Sequence, residues 1–202
     1  MKFIGITGGV GAGKSAILDF LSQKPNTRVM LADEIAHMLM EPGTACYEAI
    51  RNQFSEEDIY EEDGHFHRLK LAQVIFADGT KREQMNAIVH PAVKAYVVEQ
   101  YQLEQKQGKL DFLFLEAALL IEEHYDTICD ELWYIYTDEE HRRARLKESR
   151  GYSDKKIDDI LASQLREEEY RVACKEVIDN NGTKEETFEQ LEEVLRRKAD
   201  EQ

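Results

Sequence analysis

Apolar residues follow two rhythms along this chain. Phe3-Ile4-Gly5-Ile6-Thr7 is a short run without polar alternation, the pattern of a central strand buried on both faces. Gly8 to Gly13 then reads as a loop, and Lys14 to Ser22 carries Ile17, Leu18 and Leu21 at helical spacing. Arg28 to Ala32 reads as a second strand ending at Asp33, and Glu34 to Met40 as a short helix stopped by Glu41-Pro42-Gly43. From about 44 to 108 the period is helical, with a turn at Asp78-Gly79 and a break or kink at His90-Pro91. Strand character returns at Leu110 to Leu115 and at Glu131 to Thr137. A capping signal at Thr137-Asp138-Glu139-Glu140 then opens a basic helix to Ser149, and a further helix is predicted from Asp154 to about Cys174. Val177-Ile178 is a last short strand. Asn180-Asn181-Gly182 makes a turn, and Thr183 caps a charged helix with Phe188, Leu191 and Leu195 on its apolar face.

Strands separated by helical connections predict an α/β fold: a three-layer parallel sheet with helices on both faces. In such sheets a ligand sits beyond the carboxyl ends of the strands. The Gly8 loop, Asp33 and Glu116 all fall at predicted strand ends.

Composition narrows the classes. The length of 202 residues suits one domain, 1–202, and 42% hydrophobic residues with only 3 Pro exclude a mostly disordered chain. No apolar run approaches the roughly 20 residues of a membrane span, and the N-terminus lacks a signal-peptide pattern. The net charge of −15, from 26 Lys+Arg against 41 Asp+Glu, disfavours nucleic acid as a partner. Cys46, Cys129 and Cys174 are odd in number and widely spaced, so a reducing, cytoplasmic setting is expected without a disulfide framework or zinc knuckle. A monomer or weak homo-oligomer is expected.

Gly8-Gly9-Val10-Gly11-Ala12-Gly13-Lys14-Ser15 fits G-x-x-x-x-G-K-[ST], between a predicted strand and a predicted helix. Glycines let successive amides point inward as an anion nest, and the following helix adds its positive dipole end. Lys14 would place a cation on the β- and γ-phosphates, and Ser15 would hold Mg²⁺ through its hydroxyl. A nucleoside triphosphate with Mg²⁺ is the first inference. A guanine-specific switch would carry Asn-Lys-x-Asp, which the chain lacks.

Asp33 has two readings: a carboxylate that orients an acceptor hydroxyl and takes its proton, or the N-cap of the helix from Glu34. Glu116, closing Leu113-Phe114-Leu115, either holds Mg²⁺ through water or is an ordinary strand-end acid. Residues 141–150 hold the densest basic cluster: Arg142, Arg143, Arg145, Lys147 and Arg150. Part of it is a solvated face. Arginines there would neutralise shifting phosphoryl charge and close as a lid, with Arg145 the first choice and Gly151-Tyr152-Ser153 a hinge.

Over nearly its whole length the chain resembles the dephospho-coenzyme A kinases. The resemblance rests on the ordered set Ile6 to Ser15, Ala32-Asp33-Glu34-Ile35-Ala36-His37, Glu41-Pro42-Gly43, His90-Pro91, Leu119-Leu120-Ile121-Glu122, Arg145-Leu146, Gln164 and Val177 to Gly182. It implies a P-loop, nucleotide-kinase-like fold with a lid at about 139–172 and a helical substrate-binding region at about 44–108. It implies transfer of the ATP γ-phosphoryl group to the ribose 3′-hydroxyl of dephospho-CoA, the last step of coenzyme A biosynthesis. Asp33 then matches the family's presumed base, beside Lys14 and Arg145 as catalytic groups. ATP would be bound by Gly8, Gly9, Val10, Gly11, Ala12, Gly13, Lys14, Ser15 and Ala16, with Ser15 and Glu116 on the metal. His90, Glu122 and Arg150 join Asp33 as substrate contacts; His90 also reads as a helix-break residue and Glu122 as a surface acid.

Three departures accompany the resemblance. Ala16 stands where a Thr is usual and removes a hydroxyl from the α-phosphate. Ala118 stands where a Pro is usual. The second lid arginine is displaced: Ser149 takes its place and Arg150 follows one residue late, turned about 100° around the helix. Two other functions fit the P-loop: a kinase for another small-molecule alcohol, or an ATP-binding regulatory module without transfer activity.

Overall fold

The computed structural model describes residues 1–201. Five strands form one parallel sheet: β1 (Lys2–Thr7), β2 (Thr27–Leu31), β3 (Phe112–Glu116), β4 (Glu131–Tyr136) and β5 (Glu176–Asp179). Their order is β2-β3-β1-β4-β5, with every neighbouring pair parallel. The central β1 pairs Ile6 with Glu116 of β3 and with Trp133 of β4.

The two faces of β1 bury different partners, as the period of two dictates. Ile4 and Ile6 join Ile17, Leu18 and Leu21 of α1 (Lys14–Ser22), Trp133, Ile135 and Leu191 of α9 (Lys184–Asp200) in one core cluster. Gly5 faces the other way. A Cβ there would lie 2.5 Å from Leu132 and 2.9 Å from Leu120, so the second layer packs directly on its backbone. On that face Tyr134 stacks on Tyr170 of α8 (Glu167–Ala173), with ring centroids 4.7 Å apart. The predicted α/β three-layer architecture is therefore present.

The Cα positions group into two compact units: Met1–Leu31 with the chain from Glu104 onward, and Ala32–Leu103. The first holds the sheet, together with α6 (Glu139–Arg150), α7 (Asp154–Ala162), α8 and α9. The second is helical: α2 (Ala32–Leu39), α3 (Ala45–Gln53), α4 (Arg68–Ala77) and most of α5 (Gly79–Gln107), with a single bridge between Tyr60 and Phe66.

Three expectations change. Helix α5 runs through His90-Pro91 without a break. Pro91 removes only the bond to the carbonyl of Ala87, while Met85, Val89, Val93 and Val97 bury a continuous stripe on both sides of it. Asp33 is not an N-cap, because α2 begins at Ala32 and Asp33 lies in its first turn. The helix expected from Asp154 to Cys174 is two helices, interrupted between Ala162 and Glu167 where Gln164 turns to the Gly8 loop.

Lys198 of α9 is 1% exposed and anchors that helix to the sheet. Its Nζ lies 3.0 Å from Glu131 Oε2 and 2.9 Å from Glu176 Oε1, while the Trp133 indole donates to Glu131 Oε1 at 2.8 Å. Burial pushes the Glu131 carboxyl up, but the bonds from Trp133, Lys198 and Lys175 outweigh it and leave the group below its ordinary value. Glu176 is likewise lowered: its burial is outweighed by Arg197 and Lys198. Burial pulls Lys198 down, but Glu176 and Glu131 raise it above its ordinary value. Carboxylates lowered on folding add stability above their unfolded pKa of about 4.3, and it is lost as pH falls through the folded value. A raised lysine adds stability below about 10.4, lost as pH rises through its folded value. We therefore expect urea-unfolding free energies to fall off at both ends of the pH range, and Lys198→Met to flatten both limbs.

Candidate active site

The site begins with the turn from β1 into α1. Gly11 and Gly13 hold φ of +83° and +85°, and Gly13 stands at the N-cap of α1. No side chain caps that helix end, so its first amides depend on other acceptors. Lys14 folds back along the loop: its Nζ donates to Gly8 O at 2.7 Å and lies 3.6 Å from Glu116 Oε1. Ser15 is exposed on the first turn of α1. This is a phosphate cradle with one ammonium across it and a carboxylate at the tip of the neighbouring strand.

A second layer holds the loop from outside. The carbonyl of Ala12 accepts from Asn180 Nδ2 at 2.7 Å, Thr137 Oγ1 at 3.0 Å and Arg145 Nη1 at 3.2 Å. Arg145 Nη2 donates to Asn180 O at 2.8 Å. The Arg145 guanidinium, expected on the transferring phosphate, is thus bonded to protein oxygens that brace the cradle. Asn180, which the sequence places in the turn after the last strand and in the family-like run Val177 to Gly182, is buried, and its Oδ1 accepts from Thr187 at 3.0 Å. Asp138 N donates to Asn181 Oδ1 at 2.9 Å, tying the start of α6 to the same turn.

Arg142 lies three residues before Arg145, on the same helical face. Its Nε donates to Val10 O at 3.0 Å, and its Nη2 donates to Gln164 Oε1. The guanidinium packs directly on Gly9, in the space a Cβ there would enter, so a larger residue at 9 would displace it. The sequence places Arg142 in the basic cluster expected to neutralise phosphoryl charge without singling it out; its three-residue spacing from Arg145 is the signal that does. Burial pulls the Arg142 pKa down. Arg150 ends α6, is exposed, and lies over the Tyr152 ring at 5.9 Å. Ser149 returns its hydroxyl to Arg145 O at 2.6 Å.

Glu122 is exposed in the turns after β3. In the helical unit, Asp33 lines a cavity of about 560 Å³ with Ala36, His37, Met40, Glu41, His65, Phe66, Arg68, Leu71, Ala72, Ile75 and Phe76. His65 bonds Asp63 and faces Glu41, and these acids raise its pKa. Phe76 is 78% exposed at the cavity's edge. His90 is half-buried on α5 and is not among the lining residues.

Among the described residues no cluster of three or more His, Cys, Asp or Glu could hold a metal. The donors present, the Ser15 hydroxyl and the Glu116 carboxylate, fit Mg²⁺, which keeps waters and phosphate oxygens as its other ligands.

The dephospho-CoA kinase family model matches residues 2–186. The chain belongs to the dephospho-CoA kinase family. Dephospho-CoA kinase of Oceanobacillus iheyensis is 36% identical over 194 residues, covering 96% of each chain. Dephospho-CoA kinase of Symbiobacterium thermophilum is 34% identical over 196 residues, covering 97% of this chain and 81% of the relative. A Thermus thermophilus crystal structure superposes with a TM-score of 0.76 at 27% identity, over 97% of each chain. Shikimate kinase from Acinetobacter baumannii, at 14% identity and a TM-score of 0.51, shares the fold, covering 98% of this chain and 94% of its own. The P-loop fold expected for a dephospho-CoA kinase is thus the one observed. Among the described residues no helix is long and apolar enough to cross a membrane.

Proposed function

We propose that the chain transfers the γ-phosphoryl group of ATP to the ribose 3′-hydroxyl of dephospho-CoA, giving CoA and ADP. The observation that carries this reading is the family match over residues 2–186, falling on a strand–loop–helix whose lysine already bridges the loop. The acceptor oxygen forms a bond to the γ-phosphorus as the bond to the β–γ bridging oxygen breaks, and ADP leaves. The acceptor proton passes to Asp33, whose carboxylate is exposed and carries no hydrogen bond among the described residues. The cavity beside Asp33 is where we seat the acceptor, with Arg68 and His65 offering cationic contacts and Ile75 and Phe76 an apolar wall.

Lys14 carries charge on the β- and γ-phosphates, and Arg145 holds the cradle in shape through Ala12. Mg²⁺, held by Ser15 and through water by Glu116, would neutralise the β- and γ-oxygens. Catalysis is then positioning and electrostatics with no covalent enzyme intermediate. The three cysteines are buried free thiols, which suits a cytoplasmic enzyme.

Coupled ADP release with ATP and an acceptor panel tests the reading. Release with dephospho-CoA well above a nucleoside and sugar-alcohol panel is expected. Equal or greater release with another alcohol would replace the acceptor, and ATP binding without acceptor-dependent release would make the chain a regulatory module.

A further inference from the structure

Gln164, in the link between α7 and α8, presents one oxygen to two donors. Its Oε1 accepts from Val10 N at 3.3 Å and from Arg142 Nη2. Both partners are obligate donors, so the amide oxygen must face them. A backbone amide of a phosphate loop and a guanidinium converging on one oxygen is the arrangement that binds a phosphate oxygen.

The charges around Arg142 support this. Its neighbours on α6 pair with acids: Arg143 lies 2.7 Å from Glu139 and 2.7 Å from Asp158, and Lys147 lies 2.5 Å from Asp154. Arg142 makes no ion pair among the described residues, although it is half-buried in a chain of net charge −15. Among those residues its donors meet only neutral oxygens, Val10 O and Gln164 Oε1, and an anionic oxygen is a stronger acceptor for a guanidinium than either.

Position identifies the anion. Lys14, the group that reaches the β- and γ-phosphates, returns its Nζ to Gly8 O. Arg142 packs on the next residue, Gly9, so it stands at the terminal-phosphate end of the loop.

We propose that Val10 N–H and the Arg142 guanidinium form a subsite for a terminal phosphate oxygen of the nucleotide, and that Gln164 Oε1 gives up these two donors when the nucleotide binds. Nucleotide binding then releases the α7–α8 link from the loop. The inference rests on the assignment of ATP to the Gly8–Ser15 loop and not on the identity of the acceptor.

Titration calorimetry of the full-length chain with ATP·Mg²⁺ and with AMP tests it, alongside thermal melting of each variant. Arg142→Gln is expected to weaken ATP about tenfold to a hundredfold, the range for one lost hydrogen bond to a charged group, and to leave AMP unchanged. Gln164→Glu places a carboxylate on the same donors and is expected to weaken ATP while leaving AMP unchanged. Gln164→Ala is expected to bind ATP at least as tightly as the parent.

Equal ATP affinity in Arg142→Gln and the parent would overturn the subsite. So would a loss in Gln164→Ala as large as in Arg142→Gln, since Gln164 would then be positioning the arginine. A parent chain that binds no ATP would overturn the loop assignment and the subsite together. A parent that binds ATP but fails with dephospho-CoA would overturn only the acceptor.

Discussion

Asp33→Asn is expected to lower kcat with dephospho-CoA by about a thousandfold, within the range for loss of a positioned general base. The substitution keeps the size and planarity of the side chain and removes only its capacity to take a proton. Asp33 is exposed in the first turn of α2 and carries no hydrogen bond among the described residues, so the melting temperature should not move. ATP affinity, which we assign to the Gly8–Ser15 loop, should also stay at its parent value. Single-turnover kinetics with calorimetry separates these quantities. A variant with near-parental kcat would remove Asp33 from the proton transfer.

Lys14→Ala is expected to lower kcat/KM by a comparable factor, about a hundredfold to a thousandfold, for a different reason. The ammonium does two things at once: it bridges to Gly8 O at 2.7 Å and faces Glu116 Oε1 at 3.6 Å. Its removal takes a cation from the transferring group and leaves the Glu116 carboxylate facing the phosphates with one cation fewer. Like-charge repulsion then adds to the lost attraction. The sign of the coupling follows. Lys14→Ala with Glu116→Gln should lose less than the sum of the two single losses, and a double-mutant cycle on kcat/KM reads that difference. Strict additivity would mean that the two groups do not act on the same charge.

Much of this fold was legible in the chain because local chemistry and tertiary environment agree. The capping residues Asp138 and Thr183 accept from His141 N and Glu186 N as their spacing implies, and the unbroken apolar run of β1 is buried on both faces. The failures have physical causes. Proline at 91 is a strong local break signal, yet it removes one backbone bond from a helix whose buried valines continue past it. The stretch around Gln164 carries no Gly or Pro, so nothing local announces that the helix ends there; the interruption is set by a contact with Val10, far away in sequence. The phosphate loop was readable because its backbone demands particular residues in order. The residues that brace it were harder, since Thr137, Asn180 and Arg142 bond to loop main-chain atoms and any compatible donor at those places would serve.

The carbonyl of Ala12 collects donors from the end of β4, from α6 and from the turn after β5. Three segments, each more than a hundred residues further along the chain, therefore report to a single peptide plane, the one whose nitrogen belongs to Gly13. Such an arrangement is redundant by construction: deleting one donor leaves two, whereas deleting a second exposes the remaining one to the whole load. Tolerance to change at 137, 145 and 180 is thus a shared property of the three positions, and a substitution harmless in one background becomes damaging in another.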